Sequence, residues 1–307
     1  MASEKVWLME QHKSGFVNII GRPNVGKSTL MNALVGERMS IITAKPQTTR
    51  HRITGILSGE DFQMVFSDTP GIIESPAYKM QEAMNRFVNS AFEDADILLF
   101  VTGVEEQYDE NDPVIAQLKK LSMPRFLVLN KTDLATPERI LELLKWWSER
   151  VPFDECIPAS ALKKRNTEEL MQTLRKYLPE GPAYYPKDQL TDRPERFFVA
   201  EIIREKILEL YQQEIPYSVE VAIEAFVETK TKEGKPLVRI QAQIYVARQS
   251  QKIILLGRQG SAIKRMGTSA RKSLEAWLEK KVFLELHVKV RENWRDDELQ
   301  LKRFGYE

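Results

Sequence analysis

GFVNIIGRPNVGKSTLMNALVG, residues 15–36, decides how the rest of the chain is read. An apolar run breaks into a polar loop with Gly21, Gly26, Lys27 and Ser28 in the order G-x-x-x-x-G-K-S, and the amphipathic STLMNALVG follows. That order predicts strand, loop and helix. Glycines let backbone N–H groups wrap phosphate at a helix N-terminus, Lys27 reaches the β and γ phosphates, and Ser28 ligates Mg2+. Ordinary residue usage produces this pattern by chance in such a chain about one time in a hundred. Gly21, Asn24, Val25, Gly26, Lys27, Ser28 and Thr29 are therefore assigned to a phosphate site.

Working outward, the runs 53–58, 62–68, 95–101, 125–130 and 153–158 also read as strands, with amphipathic segments between most of them. Near-continuous apolar strands alternating with helices predict an α/β domain, a mostly parallel sheet with helices on both faces. Such sheets bind ligands beyond the carboxyl ends of their strands. Asp68-Thr69-Pro70-Gly71 follows one strand, placing Asp68 on the Mg2+ side and the Gly71 N–H where it senses a γ-phosphate. Asn130-Lys131-Thr132-Asp133 follows another. A carboxylate there accepts from guanine N1–H and N2–H2, two donors that adenine lacks, so Asp133 points to GTP over ATP.

After the Pro/Gly/Tyr-rich stretch that begins near Gly181, the pattern changes. Residues 197–213 show helical spacing of Ile203, Ile207, Leu210 and Tyr211, two alternating strands join around TKEGKP, two helical segments follow, and VFLELHVKV closes. The order α-β-β-α-α-β predicts a small α+β domain with helices on one face of a three-stranded sheet. The expected division is 1–180, a linker at 181–196, and 197–307 with a C-terminal tail.

The charge is as uneven as the pattern. The net of +1 over 307 residues hides 22 basic against 25 acidic side chains in residues 1–180, and 23 against 19 beyond. Residues 230–281 alone hold 13 basic and 3 acidic side chains, the electrostatic footprint of a nucleic-acid surface; a merely solvated basic face is the alternative. A composition of 42% hydrophobic and 29% charged residues excludes a low-complexity chain. The single cysteine, Cys156, excludes an internal disulfide and sits where buried packing is expected. His12, His51 and His287 are far apart and give no metal or triad pattern. MASEKVWLMEQHKSG lacks the apolar core of a signal peptide, and no run reaches the roughly 20 residues of a spanning helix, so a cytoplasmic protein is expected.

GRPNVGKS, DTPG, NKTD and Ala159-Ser160-Ala161 together resemble the nucleotide motifs of translation-factor-class GTPases. Gln47-Thr48-Thr49-Arg50-His51 resembles switch I of the Era family, and the resemblance spans essentially the whole chain. It implies a P-loop GTPase domain followed by a type II KH domain, and hydrolysis of GTP to GDP and phosphate. Nucleotide contacts then fall to the phosphate-site residues with Asp68, Asn130, Lys131, Asp133, Ser160 and Ala161. Mg2+ falls to Ser28, Asp68 and a switch I threonine; Thr48 and Thr49 both qualify, and Thr49 is favoured. Lys27, Thr49 and Gly71 are the catalytic set. Asn24 is similar to an asparagine that holds K+ beside the phosphates in some GTPases of this wider class, which makes K+ a further cofactor to test. The resemblance also implies binding to the 3′ end of 16S ribosomal RNA and a role in assembly of the 30S subunit, by a monomer that does not bind DNA, with peripheral inner-membrane association as a further option.

Gly257-Arg258-Gln259-Gly260, the sole G-x-x-G, lies inside the basic window between helical segments, where a KH domain clamps single-stranded RNA. Lys252, Arg258, Lys264 and Arg265 are assigned to phosphates, and Ile253 with Ile263 to an apolar floor under the bases. Ile72 stands where signalling GTPases have a water-orienting glutamine and cannot hydrogen-bond water, so slow intrinsic hydrolysis is expected. Trp146-Trp147 is expected to pack on the sheet edge, the tail to fold back on the second domain with Trp294 as an option for RNA contact, and the helix of 197–213 to be core, not membrane-bound. Two other classes compete: an RNA-binding assembly scaffold with minimal GTPase activity, and an NTPase whose basic domain binds protein.

Overall fold

The computed structural model describes residues 12–306; most of the N-terminal segment read against a signal peptide lies outside them. Two compact units emerge. One is formed by residues up to Ser40 with Arg52–Thr69 and Val88–Asp192, the other by Ile41–His51, Pro70–Phe87 and Arg193 onward. The first 192 residues thus lend two segments to the second unit, the later of which includes a stretch of helix from Lys79.

In the first unit, β1 (Lys13–Ile20), β2 (Ile53–Ser58), β3 (Phe62–Asp68), β4 (Ile97–Gly103), β5 (Arg125–Asn130) and β6 (Glu155–Pro158) form one sheet in the order β2-β3-β1-β4-β5-β6. All neighbours are parallel except β2 with β3. β4 is buried along its whole length, as a strand covered on both faces must be. It begins at Ile97, later than its apolar run suggests, because the Asp96 carboxylate accepts the Phe16 N–H at 2.8 Å and ends the ladder there. α1 (Lys27–Val35), α2 (Lys79–Glu93), α3 (Pro113–Lys119), α4 (Pro137–Ser148) and α5 (Thr167–Tyr177) connect the strands. Asp112 caps α3 by accepting the Val114 N–H, Thr136 caps α4 by accepting the Arg139 N–H, and each is followed by proline at the first helical position. Trp147 is buried against Phe100, Tyr108 and Phe153, whereas Trp146 is half-buried under Arg150. Cys156 is half-buried, and burial raises its thiol.

The segment read as a linker is anchored. Gln63 of β3 is fully buried; its Oε1 accepts the N–H groups of Tyr184 and Tyr185 and its Nε2 donates to the Tyr185 carbonyl. The Leu190 carbonyl accepts the Ile56 N–H at 2.8 Å.

In the second unit, β7 (Val219–Lys230), β8 (Pro236–Val246) and β9 (Lys281–Val290) form a sheet in that order, antiparallel then parallel. α6 (Glu195–Leu210), α7 (Gln249–Leu256) and α8 (Ser261–Leu278) complete the α-β-β-α-α-β order. Ile202, Ile203 and Ile207 of α6 join Val238, Ile240, Ile244, Met266 and Leu274 in one core. Each such aliphatic side chain contributes about 1.5–3 kcal/mol on full burial. Among the described residues, no helix is long and apolar enough to cross a membrane. A short α9 (Glu298–Arg303) ends the described chain. The tail does fold back, but Trp294 is fully buried and its indole N–H donates to the Ser218 carbonyl at 3.2 Å, which removes it as an RNA contact.

Residues 41–51 and the tail meet α6 and β7 around buried charge. Arg50 donates to the carbonyls of Val219 (2.6 Å) and Pro216 (2.8 Å) and lies 3.6 Å from Glu220, which also accepts the Tyr306 hydroxyl at 2.8 Å. Burial raises the Glu220 carboxyl, with Arg50 and Arg204 opposing. Burial would likewise raise Glu201, but Arg204, bound at 2.6 Å, outweighs it and holds the carboxyl below its usual range. His51 sits between Phe87, Phe197 and Tyr306, and its Nε2 lies 3.1 Å from the Phe304 carbonyl. Burial, with Arg204 and Arg193 adding to it against Glu201, lowers its imidazole to about 4.

The unfolded chain therefore takes up a proton near pH 6.5 that the folded chain refuses until about pH 4. Stability from this histidine is full above pH 6.5 and falls as pH drops, by up to about 1.4 kcal/mol per unit across that window. Urea unfolding at pH 7, 6 and 5 should show a shallower pH slope for His51→Gln than for the parent chain; equal slopes would remove His51 as the source.

Candidate functional site

In the first unit, β1 ends where the loop 21–26 begins, and Asn24 and Gly26 take left-handed backbone, φ 63° and 96°. A Cβ at Gly26 would strike Asn130 Nδ2 at 2.3 Å, so this loop admits only glycine there. Lys27 is buried, with its ammonium donating to the carbonyls of Gly21 (3.0 Å) and Arg22 (2.9 Å). Burial lowers it to about 8, with Asp68 and Glu106 pulling the other way. Ser28 Oγ donates to Asp68 Oδ2 at 2.6 Å, bringing the end of β3 to the start of α1. An internal ammonium, a paired hydroxyl and carboxylate, and a backbone cradle a Cβ would fill are the donor set that phosphates with Mg2+ require.

Asn130 joins three loops. Its Nδ2 donates to the Val25 carbonyl at 2.8 Å and its Oδ1 accepts the Ala161 N–H at 3.0 Å. Lys131 follows in left-handed backbone, φ 61°, and Asp133 accepts the Ser160 hydroxyl at 2.5 Å. That bond is the main cause holding the Asp133 carboxyl below its usual range, so it stays ionised as a pure acceptor. The first unit thus brings together Gly21, Asn24, Val25, Gly26, Lys27, Ser28, Thr29, Asp68, Asn130, Lys131, Asp133, Ser160 and Ala161. Thr49 and Gly71, in contrast, lie in segments that group with the second unit, where both are buried. The Thr48 hydroxyl is engaged with the Lys45 carbonyl and Thr43 Oγ1, each at 2.7 Å.

Arg22 was missed by motif reading because it occupies a free position of the loop pattern. Its guanidinium donates to Asp112 (2.6 Å) and the Gln107 carbonyl (2.7 Å) and lies 4.1 Å over the Tyr108 ring. These contacts fix the Arg22 carbonyl that holds Lys27.

In the second unit, the Gly257–Gly260 loop links α7 to α8 with Gly257 at φ 70°, Gln259 at φ 51° and Gly260 at φ 75°. Arg258, Gln259, Lys264 and Arg265 are exposed and Lys252 is half-buried. Beside the loop, Ile263, Lys264, Gly267, Thr268, Arg271, Leu284 and Leu286 line a groove of about 290 Å³. Ile263 forms part of its floor; Ile253 instead stands exposed on α7. Leu284, Leu286, Thr268, Arg271 and Gly267 escaped sequence reading, although a glycine inside a strongly helical stretch was the available signal. A Cβ at Gly267 would press on Leu286 Cδ1 at 3.0 Å, so glycine keeps this wall open. An apolar floor with a cationic rim suits unstacked bases and their phosphates.

Comparison with known proteins follows the same two-part division. Residues 16–131 match the family described as 50S ribosome-binding GTPase, and residues 214–295 match the KH domain family. The chain is 45% identical over 295 residues to GTPase Era of Clostridium kluyveri, covering 96% of this chain and 99% of that protein. It is 44% identical over 300 residues to GTPase ERA-like, chloroplastic, of Oryza sativa subsp. japonica, covering 96% of this chain and 70% of that one. A solved structure of Era in complex with MgGDPNP and nucleotides 1506–1542 of 16S ribosomal RNA superposes with a TM-score of 0.90 at 38% identity, over 96% of this chain and 99% of that one. A variant of Aquifex aeolicus Era bound to GDP and AlF4− gives 0.89, also at 38% identity and with the same coverage.

Ser160→Ala removes the strongest support of the Asp133 carboxylate. Titration with a fluorescent guanine nucleotide should show affinity weakened by about three- to tenfold, the worth of one ordinary hydrogen bond at a partly exposed carboxylate; unchanged affinity would mean Asp133 is held by other means.

Proposed function

The chain belongs to the Era family of GTPases, and on that footing we propose that it is a GTP-controlled RNA-binding switch acting on the 3′ end of 16S ribosomal RNA during 30S subunit assembly. The observation that carries the reading is the match along 96% of the chain to an Era structure solved with both MgGDPNP and nucleotides 1506–1542 of that RNA. We assign 1–180 to the GTPase domain, 181–196 to the connection and 197–307 to the KH domain with its tail, a division supported by the sheet each part builds and by the KH match.

Lys27 exchanges the Gly21 and Arg22 carbonyls for the β and γ phosphates, and the loop N–H groups hold the remaining oxygens. Ser28 and Asp68 would hold Mg2+, with Thr49 the threonine proposed to join them once GTP has ordered its segment, and the ion would neutralise phosphate charge. Asp133, braced by Ser160, reads guanine, while Asn130 keeps the base-reading loop in register with the phosphate loop. The Gly71 N–H senses the γ-phosphate. Ile72 supplies no hydrogen bond to an attacking water, so intrinsic hydrolysis is slow and a ribosomal partner is expected to speed it. GTP orders residues 37–52 and 70–80, the Gly257–Gly260 loop and its neighbouring groove grip single-stranded RNA, and hydrolysis releases both segments. RNA phosphates fall to Lys252, Arg258, Lys264 and Arg265. We place the protein in the cytoplasm; α6 buries its charged Glu201, Arg204 and Glu205 and lends no support to peripheral membrane attachment.

Lys27→Ala should abolish GTP binding in a filter assay while RNA affinity without nucleotide stays within about twofold, whereas Asp133→Asn should shift preference from guanine toward xanthine nucleotides. ATP binding as tight as GTP in the parent chain would sink the guanine assignment. If Asn24 helps to hold K+, single-turnover hydrolysis will be faster in K+ than in Na+ at matched ionic strength, and equal rates would remove that ion from the mechanism. Sequencing of RNA crosslinked to the GTP-loaded protein in cell extract tests the reading as a whole: recovery of the 16S 3′ end is expected, and its absence overturns it.

A further inference from the structure

Within the second unit, one tyrosine touches both the segment that is to respond to nucleotide and the helix that feeds the RNA-gripping loop. α6 is closed by Tyr211, the residue after its last turn, which is 7% exposed and whose N–H donates to the Ile207 carbonyl. The Tyr211 hydroxyl donates to the Leu255 carbonyl at 2.7 Å. Leu255 lies in the last turn of α7, two residues before Gly257, and the carbonyls of a last turn lack partners within their own helix. On the other side, the Lys45 ammonium donates to the Tyr211 backbone carbonyl. A cation there also complements the negative end of the α6 dipole.

Lys45 does not reach Tyr211 by chance of a flexible side chain. The Thr43 hydroxyl accepts the Lys45 N–H at 3.1 Å, and the Lys45 carbonyl accepts the Thr48 hydroxyl at 2.7 Å, so residues 43–48 close into a hydroxyl-stitched turn. Gln47 takes left-handed backbone within it, φ 57°. The same turn is fixed from the other end: Arg204 of α6 donates to the Thr48 carbonyl, and Arg50 donates to Pro216 and Val219. A change in the path of residues 43–50 therefore moves Lys45 relative to the end of α6.

We infer that Tyr211 is the positioning residue through which residues 43–50 set the Gly257–Gly260 loop. Its carbonyl takes the Lys45 ammonium on one side, and its hydroxyl holds the carbonyl that leads into the loop on the other. With residues 43–50 in the arrangement described here, the end of α7 is held and the loop presents Arg258 and Gln259 to RNA. When the segment releases, Lys45 leaves the α6 terminus, Tyr211 loses the bond to its carbonyl, and the loop grips less well. The inference rests on the proposed reading of residues 37–52 as nucleotide-responsive; it adds the side chains that carry the response.

The test uses the full chain and an RNA with the sequence of nucleotides 1506–1542 of 16S ribosomal RNA, its dissociation constant measured with Mg2+ and either GDPNP or GDP. The parent chain should bind more tightly with GDPNP. Tyr211→Phe removes only the hydroxyl and should cut that GDPNP-to-GDP ratio by about three- to tenfold, the worth of one buried hydrogen bond, with nucleotide affinity unchanged. Lys45→Met, which keeps the aliphatic stem at this half-buried position and removes the ammonium, should cut the ratio similarly, and the double variant should lose no more than either single one. A ratio retained in both single variants overturns the relay while leaving the parent function standing. Equal weakening in both nucleotide states also overturns it, because Tyr211 would then only prop the loop. If the parent chain binds this RNA equally with either nucleotide, or not at all, the functional reading fails and the relay with it.

Discussion

The Asn130 carboxamide is the constraint on which the first unit turns. A parallel sheet delivers its loops to one edge, but it does not by itself hold them at a common spacing. Asn130 does, because one planar group donates to the phosphate loop at Val25 and accepts from the loop at Ala161. The close fit of Gly26 against the same amide leaves no slack. Lys27 and Asp133 are therefore measured from a single point, at a separation set by side-chain geometry that the strands alone would leave loose.

The second unit depends on a different balance. Arg50, Arg204, Glu201 and Glu220 are all buried, and removing such charges from water costs several kcal/mol per ion unless partners surround them. Here backbone carbonyls and paired carboxylates do so, and the contributors come from residues 41–51, α6, β7 and the tail. A hydrophobic contact tolerates a sliding of its surfaces; a buried guanidinium aimed at two carbonyls does not. The docking of residues 41–51 is thereby fixed in direction as well as in place.

Local signals were legible and distant ones were not. β2, β3 and β5 have the limits of their apolar runs, since alternation and burial are written into consecutive residues. The loops at 21–28 and 130–133 stand out in the sequence because phosphate and guanine recognition need fixed residue types at short spacing. Trp294 does not: an aromatic in a charged tail looks available, and its burial rests on Met80 and Met84, with the Ser218 carbonyl taking its indole N–H, all far upstream in sequence. Arg50 reads as one more basic residue beside a threonine pair until the carbonyls of Pro216 and Val219 are brought to it. Tyr211 was legible as an apolar position of the helical stretch 197–213, while the partners on its two sides, Lys45 and Leu255, come from opposite directions along the chain. Pairings of that kind leave no mark in a local window.

The open wall at Gly267 bears on how such a chain would respond to selection for robustness. A glycine inside α8 costs roughly 1 kcal/mol of helix stability relative to alanine, so any search for more stable sequences would visit this position early. The added methyl would press on Leu286 and narrow the groove beside the Gly257–Gly260 loop. Heat tolerance and ligand access are thus opposed at one backbone position, and a lineage that must keep the groove is held to the less stable helix.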